Sequence, residues 1–153
     1  MSCNTHKIAQ LLQGAIFFGL GSVFSQAQAF EFVSVDTPAI LFDAPSLKAK
    51  KLFVATRYLP LEQIVTLDNW VKVRDVSGQL YWIEKRALSS KRFVIVNTSV
   101  AAVRQNPEDT AAVVFQAPQQ LALELLGDEN GWAKVRHLDG AGGYIKITDV
   151  WGD

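Results

Sequence analysis

Two short segments of the sequence each combine an aromatic ring with regularly spaced cations. The first runs from Trp70 to Arg74 as Trp-Val-Lys-Val-Arg, and the second runs from Trp132 to Arg136 as Trp-Ala-Lys-Val-Arg. Alternate residues of a strand share one face, so each segment presents Trp, Lys and Arg together. An indole beside cations can bind a peptide carboxylate or a sugar-peptide, because arginine contacts a carboxylate through two parallel hydrogen bonds.

Other aromatic side chains extend these two candidate sites. The predicted ligand-binding residues are Trp70, Lys72, Arg74, Trp82, Trp132, Lys134, Arg136 and Tyr144. Each type has a structural alternative that the sequence leaves open. The two indoles could instead close a barrel under a loop, and the arginines could pair with Glu62 and Glu124 as solvated surface charges. Tyr81, Trp82 and Tyr144 could line a groove or pack against a neighbouring domain.

Residues for catalysis are scarce. The only cysteine is Cys3, and the histidines are His6 and His137. Zinc sites need at least three protein ligands, usually histidine or cysteine, and neither a nucleophile-elbow Gly-x-Ser-x-Gly nor a glycine-rich phosphate loop occurs. We therefore predict a protein that is not an enzyme, with no catalytic residues, no metal and no cofactor, and with His137 in a surface turn. The formal net charge of zero argues against nucleic acid as a partner.

The N-terminus has the order of a secretory signal peptide. Lys7 precedes an apolar stretch that is densest over residues 14–24, and small residues follow at Ala27 and Ala29. This pattern predicts a signal peptide over residues 1–29, cleaved between Ala29 and Phe30. The apolar run is shorter than the roughly 20 residues of a bilayer span, although an uncleaved anchor remains the alternative. We expect a periplasmic or secreted protein without stable membrane insertion after cleavage.

The rest of the chain consists of two similar sequence units, as expected from a duplication. At an offset of 62 residues, the 57 positions from Phe32 to Leu88 contain 14 identities, which include the Trp-x-Lys-Val-Arg segments. Each unit alternates apolar and polar residues with period two between turn signals such as Ser77-Gly78 and Asp139-Gly140. Short, evenly spaced strands predict an all-β fold of two small barrels, over residues 30–88 and 92–151.

The linker between the units is short, and the C-terminus carries one more aromatic residue. Only residues 89–92 separate Leu88 from Phe93, so we expect the barrels to touch. Trp151 could cover part of that contact or cap the second barrel.

The second unit resembles bacterial SH3 domains. Their usual elements correspond here to Ala101-Ala102-Val103-Arg104, Pro107, Asn130-Gly131-Trp132-Ala133-Lys134-Val135, Asp139-Gly140 and Gly143-Tyr144-Ile145. The first unit is similar but lacks a glycine before Trp70 and has Tyr81 where its partner has Gly143. The resemblance implies two tandem SH3-like β-barrels and a binding function, often directed at cell-wall peptide or a protein.

The resemblance also bears on the ligand. Trp70 and Trp132 occupy the place of the tryptophan in a eukaryotic SH3 groove, and Phe42 could replace one tyrosine. The groove's proline and later tyrosine correspond to Glu84 and Ala87 in the first unit, and to Lys146 and Asp149 in the second. Because most of the apolar shelf is missing, polyproline recognition is not expected. We expect an exported binding module for a peptidoglycan peptide or an envelope protein. The alternative is a structural or scaffold subunit of an envelope complex.

Overall fold

The computed structural model describes residues 31–153, so the predicted signal peptide and its cleavage point between Ala29 and Phe30 lie outside the described residues. All regular structure in this part of the chain is strand, apart from two single-turn 3-10 helices. Within residues 31–153, no helix is long and apolar enough to cross a membrane.

The strands form two separate sheets, which we call repeat one and repeat two. Repeat one contains β1 (Glu31–Val35), β2 (Ala39–Phe42), β3 (Lys51–Ala55), β4 (Pro60–Leu67), β5 (Trp70–Arg74), β6 (Leu80–Glu84) and β7 (Leu88–Ser89). Repeat two contains β8 (Phe93–Val96), β9 (Val100–Arg104), β10 (Val113–Pro118), β11 (Ala122–Glu129), β12 (Trp132–Arg136), β13 (Gly142–Lys146) and β14 (Val150–Trp151). The 3-10 helices, Lys85–Ala87 and Ile147–Asp149, precede the last strand of each repeat.

Both sheets have the same strand order. It is β3-β2-β6-β5-β4-β1-β7 in repeat one and β10-β9-β13-β12-β11-β8-β14 in repeat two, and every pairing is antiparallel. Each long fourth strand contains a bulge at the same place, between Gln63 and Val65 and between Leu125 and Gly127. Bulges bend and twist a strand, which lets one long strand serve both sides of a small barrel. The prediction of two tandem SH3-like barrels is confirmed.

The constant offset of 62 residues fails in the first strand of each repeat. Leu61 pairs with Val33, whereas its partner Leu123 pairs with Val94, which corresponds to an offset of 61. Phe32 and Phe93 are therefore equivalent. One more residue separates Val96 from Ala101 than separates Val35 from Ala39, and sequence identities could not locate that insertion because few residues there match.

Period-two alternation builds the two cores. Val71 and Val73 of β5 are buried, as are Ala133 and Val135 of β12, and this confirms the inward face assigned from the sequence. The fully buried aliphatic side chains that complete the two cores at matched positions are Leu61, Ile83, Leu123 and Ile145. Burial of such side chains is the dominant favourable term in folding.

The repeats touch through two aromatic contacts. Tyr58 lies on Phe93 with ring centroids 4.6 Å apart, and Phe32 meets Trp151 edge to face at 5.0 Å. The guanidinium of Arg92 in the linker donates a hydrogen bond of 2.7 Å to the carbonyl of Gly152 and lies over the Phe32 ring. Trp151 therefore covers the first repeat while its strand pairs with β8 of the second.

Candidate functional site

The strand positions of the predicted site residues follow the sequence pattern. Trp70, Lys72 and Arg74 lie on the outer face of β5, opposite the buried valines. Antiparallel pairing places Glu84, Trp82 and Leu80 of β6 directly opposite them. Because directly opposed residues share a face, the candidate side chains of repeat one form one surface. Trp132, Lys134, Arg136 and Tyr144 are brought together in the same way in repeat two.

The two arginines are held by carboxylates of their own repeat. Arg74 Nη1 lies 3.0 Å from Glu62 Oε2, and Arg136 Nη2 lies 2.8 Å from Glu124 Oε2. Glu124 also receives Lys91 Nζ at 3.0 Å. Hydrogen bonds from Arg136 and then from Lys91 hold the pKa of the Glu124 carboxyl below its ordinary value. The structure thus shows the arginine–glutamate pairs that the sequence offered as the alternative to ligand contact, although Glu62 is buried rather than solvated.

The two lysines lie over aromatic rings. Lys72 Nζ is 5.9 Å from the centre of the Trp82 ring, and Lys134 Nζ is 5.9 Å from the centre of the Tyr144 ring. Such contacts at exposed sites are worth about 0.5–1 kcal/mol, which is little enough for a ligand to displace them. The lysine-aromatic pairs are therefore available to a ligand in both repeats.

The two tryptophans have different surroundings. Trp70 is half-buried and meets Phe42 edge to face, with ring centroids 5.3 Å apart. Trp132 is buried, with Lys146 Nζ 5.6 Å from its ring centre. Lys146 also forms an ion pair of 2.6 Å with Asp109. In repeat two, this ion pair lies beside the indole that a ligand would have to reach.

Each repeat has a groove at matched positions, and the two grooves differ strongly in volume. Trp132 lines the groove of repeat two. Trp70, Lys72, Arg74 and Trp82 do not line the groove of repeat one, which reaches Trp70 only through its contact with Phe42. In repeat one the volume of the groove is about 600 Å³. The residues that line it are Thr37, Pro38, Ala39, Ile40, Phe42, Leu47, Lys51, Glu84, Arg86 and Ala87. In repeat two the volume is about 150 Å³, and Ala102, Arg104, Asp109, Trp132, Lys146 and Asp149 line it. Five positions correspond at the offset of 62, so one ancestral groove is open in repeat one and narrowed in repeat two.

The outer face of repeat one carries more apolar side chains than that of repeat two, although Lys72, Arg74 and Glu84 share this face and Phe42 is largely buried. We call this surface the apolar face, and its members are Ile40, Phe42, Val54, Val65, Leu67, Trp70, Leu80 and Trp82. The matched residues of repeat two are Ala102, Arg104, Gln116, Gly127, Glu129, Trp132, Gly142 and Tyr144. Scattered exposed apolar residues are ordinary, but a contiguous patch marks an interaction surface.

The sequence analysis missed two residues that define the difference between the grooves. Leu47 lines the open groove and is 65% exposed, and its counterpart Asp109 holds Lys146 across the narrow one. Both lie in the loop between the second and third strands of their repeat, at a position where the two repeats differ. The available signal was the repeat offset itself, which aligns an apolar residue with an acidic one.

His137 lies in a turn after β12, as predicted. Its Nδ1 is 2.9 Å from Asp139 Oδ1, and its side chain is partly exposed. A hydrogen bond from the backbone N–H of Ala141, and then the contact with His137, lower the pKa of Asp139. Among residues 31–153, no group of three or more histidine, cysteine or acidic side chains is placed to hold a metal ion.

The fold defines the class of protein as a tandem pair of SH3-like barrels, each with a groove at the same position. The sequence profile described as "Bacterial SH3 domain" matches residues 35–90 and 98–152, one match for each repeat. The chain belongs to the bacterial SH3 domain family, whose members are binding modules, often of cell-wall components, and are often found outside the cytoplasm.

Comparison with solved structures gives distant similarity. NlpC2 from Trichomonas vaginalis is 16% identical with a TM-score of 0.38, over 82% of this chain and 49% of that chain. NlpC1 from the same organism is 17% identical with a TM-score of 0.38, over 84% of this chain and 48% of that chain. This chain spans about half the length of both structures. No curated protein matched the sequence.

Proposed function

We propose that the protein is an exported, non-catalytic binding module of the cell envelope, and that repeat one holds the ligand. The observation that carries this proposal is the open groove of about 600 Å³, which shares Ile40 and Phe42 with the apolar face. Ligand sites are typically concave and mostly apolar with a few polar groups that fix orientation. Here Lys51, Glu84 and Arg86 are the charged groups at the groove.

The same geometry supports assigning repeat two a structural role. Its groove is narrow, its tryptophan is buried, and its strand β14 carries the Trp151 that covers Phe32 of repeat one. Trp132 lines this groove together with the Lys146–Asp109 ion pair, and the volume of about 150 Å³ leaves little room for a ligand. We expect the ligand, whether a peptidoglycan peptide or an envelope protein, to contact mainly repeat one.

Co-sedimentation of the exported, processed protein with purified sacculi tests this proposal. We expect retention on the pellet, and Leu47→Ser should reduce it because Leu47 is an exposed wall of the groove. Leu138→Ser is the matched control, since Leu138 is 60% exposed in repeat two and lies outside the groove. Equal retention of both variants would place the ligand elsewhere than repeat one.

The second candidate, a scaffold subunit, is favoured by the paired aromatic contacts that hold the two barrels together. Failure to pellet with sacculi, together with crosslinking to one envelope protein, would select it. Loss of the crosslink in Leu47→Ser but not in Leu138→Ser would then assign the partner to the same groove. Clearing of sacculi by the pure protein would refute the proposal that it has no catalytic activity.

A further inference from the structure

Strand β3 forms one edge of the first sheet. It pairs with β2 on one side, and no other described strand lies beside it. An edge strand has a row of backbone N–H and C=O groups that another chain can pair with, unless charges, prolines or a covering element prevent it. β3 contains no proline, and its only charged residue is Lys51 at its first position.

The exposed side chains of β3 are apolar on both faces of the sheet. Val54 is opposite Ile40 on the outer face, and Phe53 is opposite Leu41 on the inner face. Their exposed fractions are 68% and 62%. A second depression of about 400 Å³, which includes Ile40 and Lys51, lies along this strand and continues into the open groove. A neighbouring strand would cover both faces at once, whereas a ligand lying only on the outer face would leave Phe53 exposed.

The charges around β3 are positive. Lys48, Lys50 and Lys51 precede or begin the strand, and none of them takes part in an ion pair within the described part of the chain. Of the nearby carboxylates, Glu84 is paired with Arg86 through two hydrogen bonds of 3.1 Å. Asp43 accepts only the neutral backbone N–H of Lys50 and keeps its negative charge, so the three lysines outnumber it and the local charge stays positive. Complementary charge steers association and selects partners, so this edge favours an acidic segment.

The matching edge of repeat two lacks these charges. Strand β10 is also an edge strand with exposed valines, but Lys48, Lys50 and Lys51 are replaced by Thr110, Ala112 and Val113. It also has Gln116 in place of Val54 and ends in Pro118. Among the described residues, an apolar edge strand and lysines without an ion pair therefore occur together only in repeat one. A second copy of this chain is a poor occupant, because it would bring its own lysines into the contact.

We infer that β3 of repeat one pairs with an extended, acidic and apolar segment of a partner protein, which adds a strand to the first sheet. This inference rests on the proposed binding function and specifies its ligand. Main-chain hydrogen bonds to β3 supply affinity, and the pockets on either side of the strand select alternate side chains. The partner's carboxylates meet the lysines, and its apolar residues cover Ile40, Phe53 and Val54.

A peptide-binding experiment tests the pairing. The probe is a fluorescein-labelled synthetic peptide that alternates isoleucine with glutamate, and its anisotropy is measured with the processed protein. In an extended peptide, alternate N–H groups point to opposite edges. One further version carries N-methyl groups at the nitrogens of one edge, and a second carries them at the nitrogens of the other edge. We expect one of them to bind about tenfold weaker or worse, because it cannot donate to β3. Equal binding of all three peptides would overturn strand addition.

Matched variants locate the pairing strand. Lys51→Glu should weaken binding of the acidic peptide about tenfold, and Val54→Ser should weaken it by a smaller factor. Neither change should unfold the protein, because both side chains are exposed. The controls Val113→Glu and Gln116→Ser place the same residues at the equivalent positions of β10. Weaker binding in the controls, or no change in the β3 variants, would overturn the assignment to β3.

Two outcomes separate this inference from the proposed function. Retention on sacculi that depends on Leu47, without binding of the acidic peptide, would refute strand addition and leave the proposed function standing. Concentration-dependent dimerisation that Lys51→Glu strengthens would show that β3 pairs with a second copy, and would refute the assignment to a partner protein. Sedimentation velocity of the processed protein at low and high concentration detects such a dimer.

Discussion

Strands β6 and β13 hold the same position in their sheets, yet they share one residue in five. The shared residue is an isoleucine, Ile83 or Ile145, and both are completely buried. Around it, Leu80, Tyr81, Trp82 and Glu84 are replaced by two glycines, a tyrosine and a lysine. The completely buried position has been kept, whereas exposed, half-buried and buried neighbours have all changed. Divergence between the repeats therefore alters packing as well as the surface.

Gly143 shows how far the second copy has diverged. A Cβ atom on this residue would collide with the backbone carbonyl oxygen of Arg104, so the strand pair β9–β13 is closer here than a side chain allows. Its counterpart Tyr81 carries a large ring that is buried and meets Phe53 edge to face, with ring centroids 5.8 Å apart. In repeat one the Tyr81 ring therefore fills this space. In repeat two the backbones of β9 and β13 approach closely and leave no such space.

The largest expected effect tests whether the two cores are equivalent. Ile83→Ala and Ile145→Ala each remove a completely buried side chain, and each should lower the free energy of unfolding by about 2–5 kcal/mol through lost burial and a residual cavity. Urea denaturation of the processed protein measures both. A large loss for one variant and almost none for the other would break the equivalence of the cores.

The next effect tests the asymmetry of the last strands. Trp151 meets Phe32, whereas its register counterpart in repeat one is Ser89. We expect Trp151→Ala to lower the free energy of unfolding by about 2 kcal/mol, because half-buried aromatic surface is lost together with an edge-to-face contact. Ser89→Ala is the control and should change little. If the two variants were alike by thermal or urea unfolding, Trp151 would have no role in joining the repeats.

A smaller change tests the inward faces of the matched central strands. Val73→Ala and Val135→Ala each delete two methyl groups from a buried position, and each should cost more than about 1 kcal/mol by cavity formation. The urea midpoints measure this loss. Unchanged midpoints would mean that the inward and outward faces of β5 and β12 are reversed.

The smallest effect concerns acid. Hydrogen bonds from Arg136 and Lys91 hold the pKa of Glu124 below its ordinary value in the folded protein. A carboxyl with a lowered folded pKa stabilises the fold above its unfolded pKa, and this stabilisation is lost as the pH falls through the folded value. We expect the stability of Arg136→Gln to fall less between neutral pH and acid than that of the parent chain.

The control for this acid prediction is Arg86→Gln, which removes an ion pair whose arginine is 81% exposed. It should leave the pH dependence close to that of the parent, because exposed pairs contribute little. Urea denaturation at a series of acidic pH values gives the comparison. Identical acid profiles for Arg136→Gln and the parent chain would show that Glu124 is not stabilised by its partners.

The sequence predicted the fold in detail because the repeat and the period-two pattern depend on local, regular features. The outward placement of Trp70, Lys72 and Arg74 followed from alternation alone. The open groove did not, because its size depends on Leu47 and on the absence of an ion pair like that of Lys146 with Asp109. Such a contact joins residues distant along the chain, and although Lys146 has a counterpart in the SH3 groove, nothing in the sequence pairs it with Asp109.

The sequence also did not predict which strands are neighbours in each sheet. That β3 is an edge strand follows from the sheet order, which alternation does not encode. Nothing in the sequence distinguishes the lysines before it from ordinary solvated charge. Their excess over the nearby carboxylates is seen only in the structure, where Glu84 is paired with Arg86 and Asp43 alone remains beside Lys50.

The contact between Phe32 and Trp151 joins opposite ends of the described chain, since one lies in the first strand and the other in the last. A polypeptide that emerges N-terminus first leaves the Phe32 ring without its Trp151 contact until both repeats have emerged. This contact therefore forms after the strands of the first sheet are available. A variant that lacks β14 would leave the Trp151 side of the Phe32 ring accessible to chaperones and proteases.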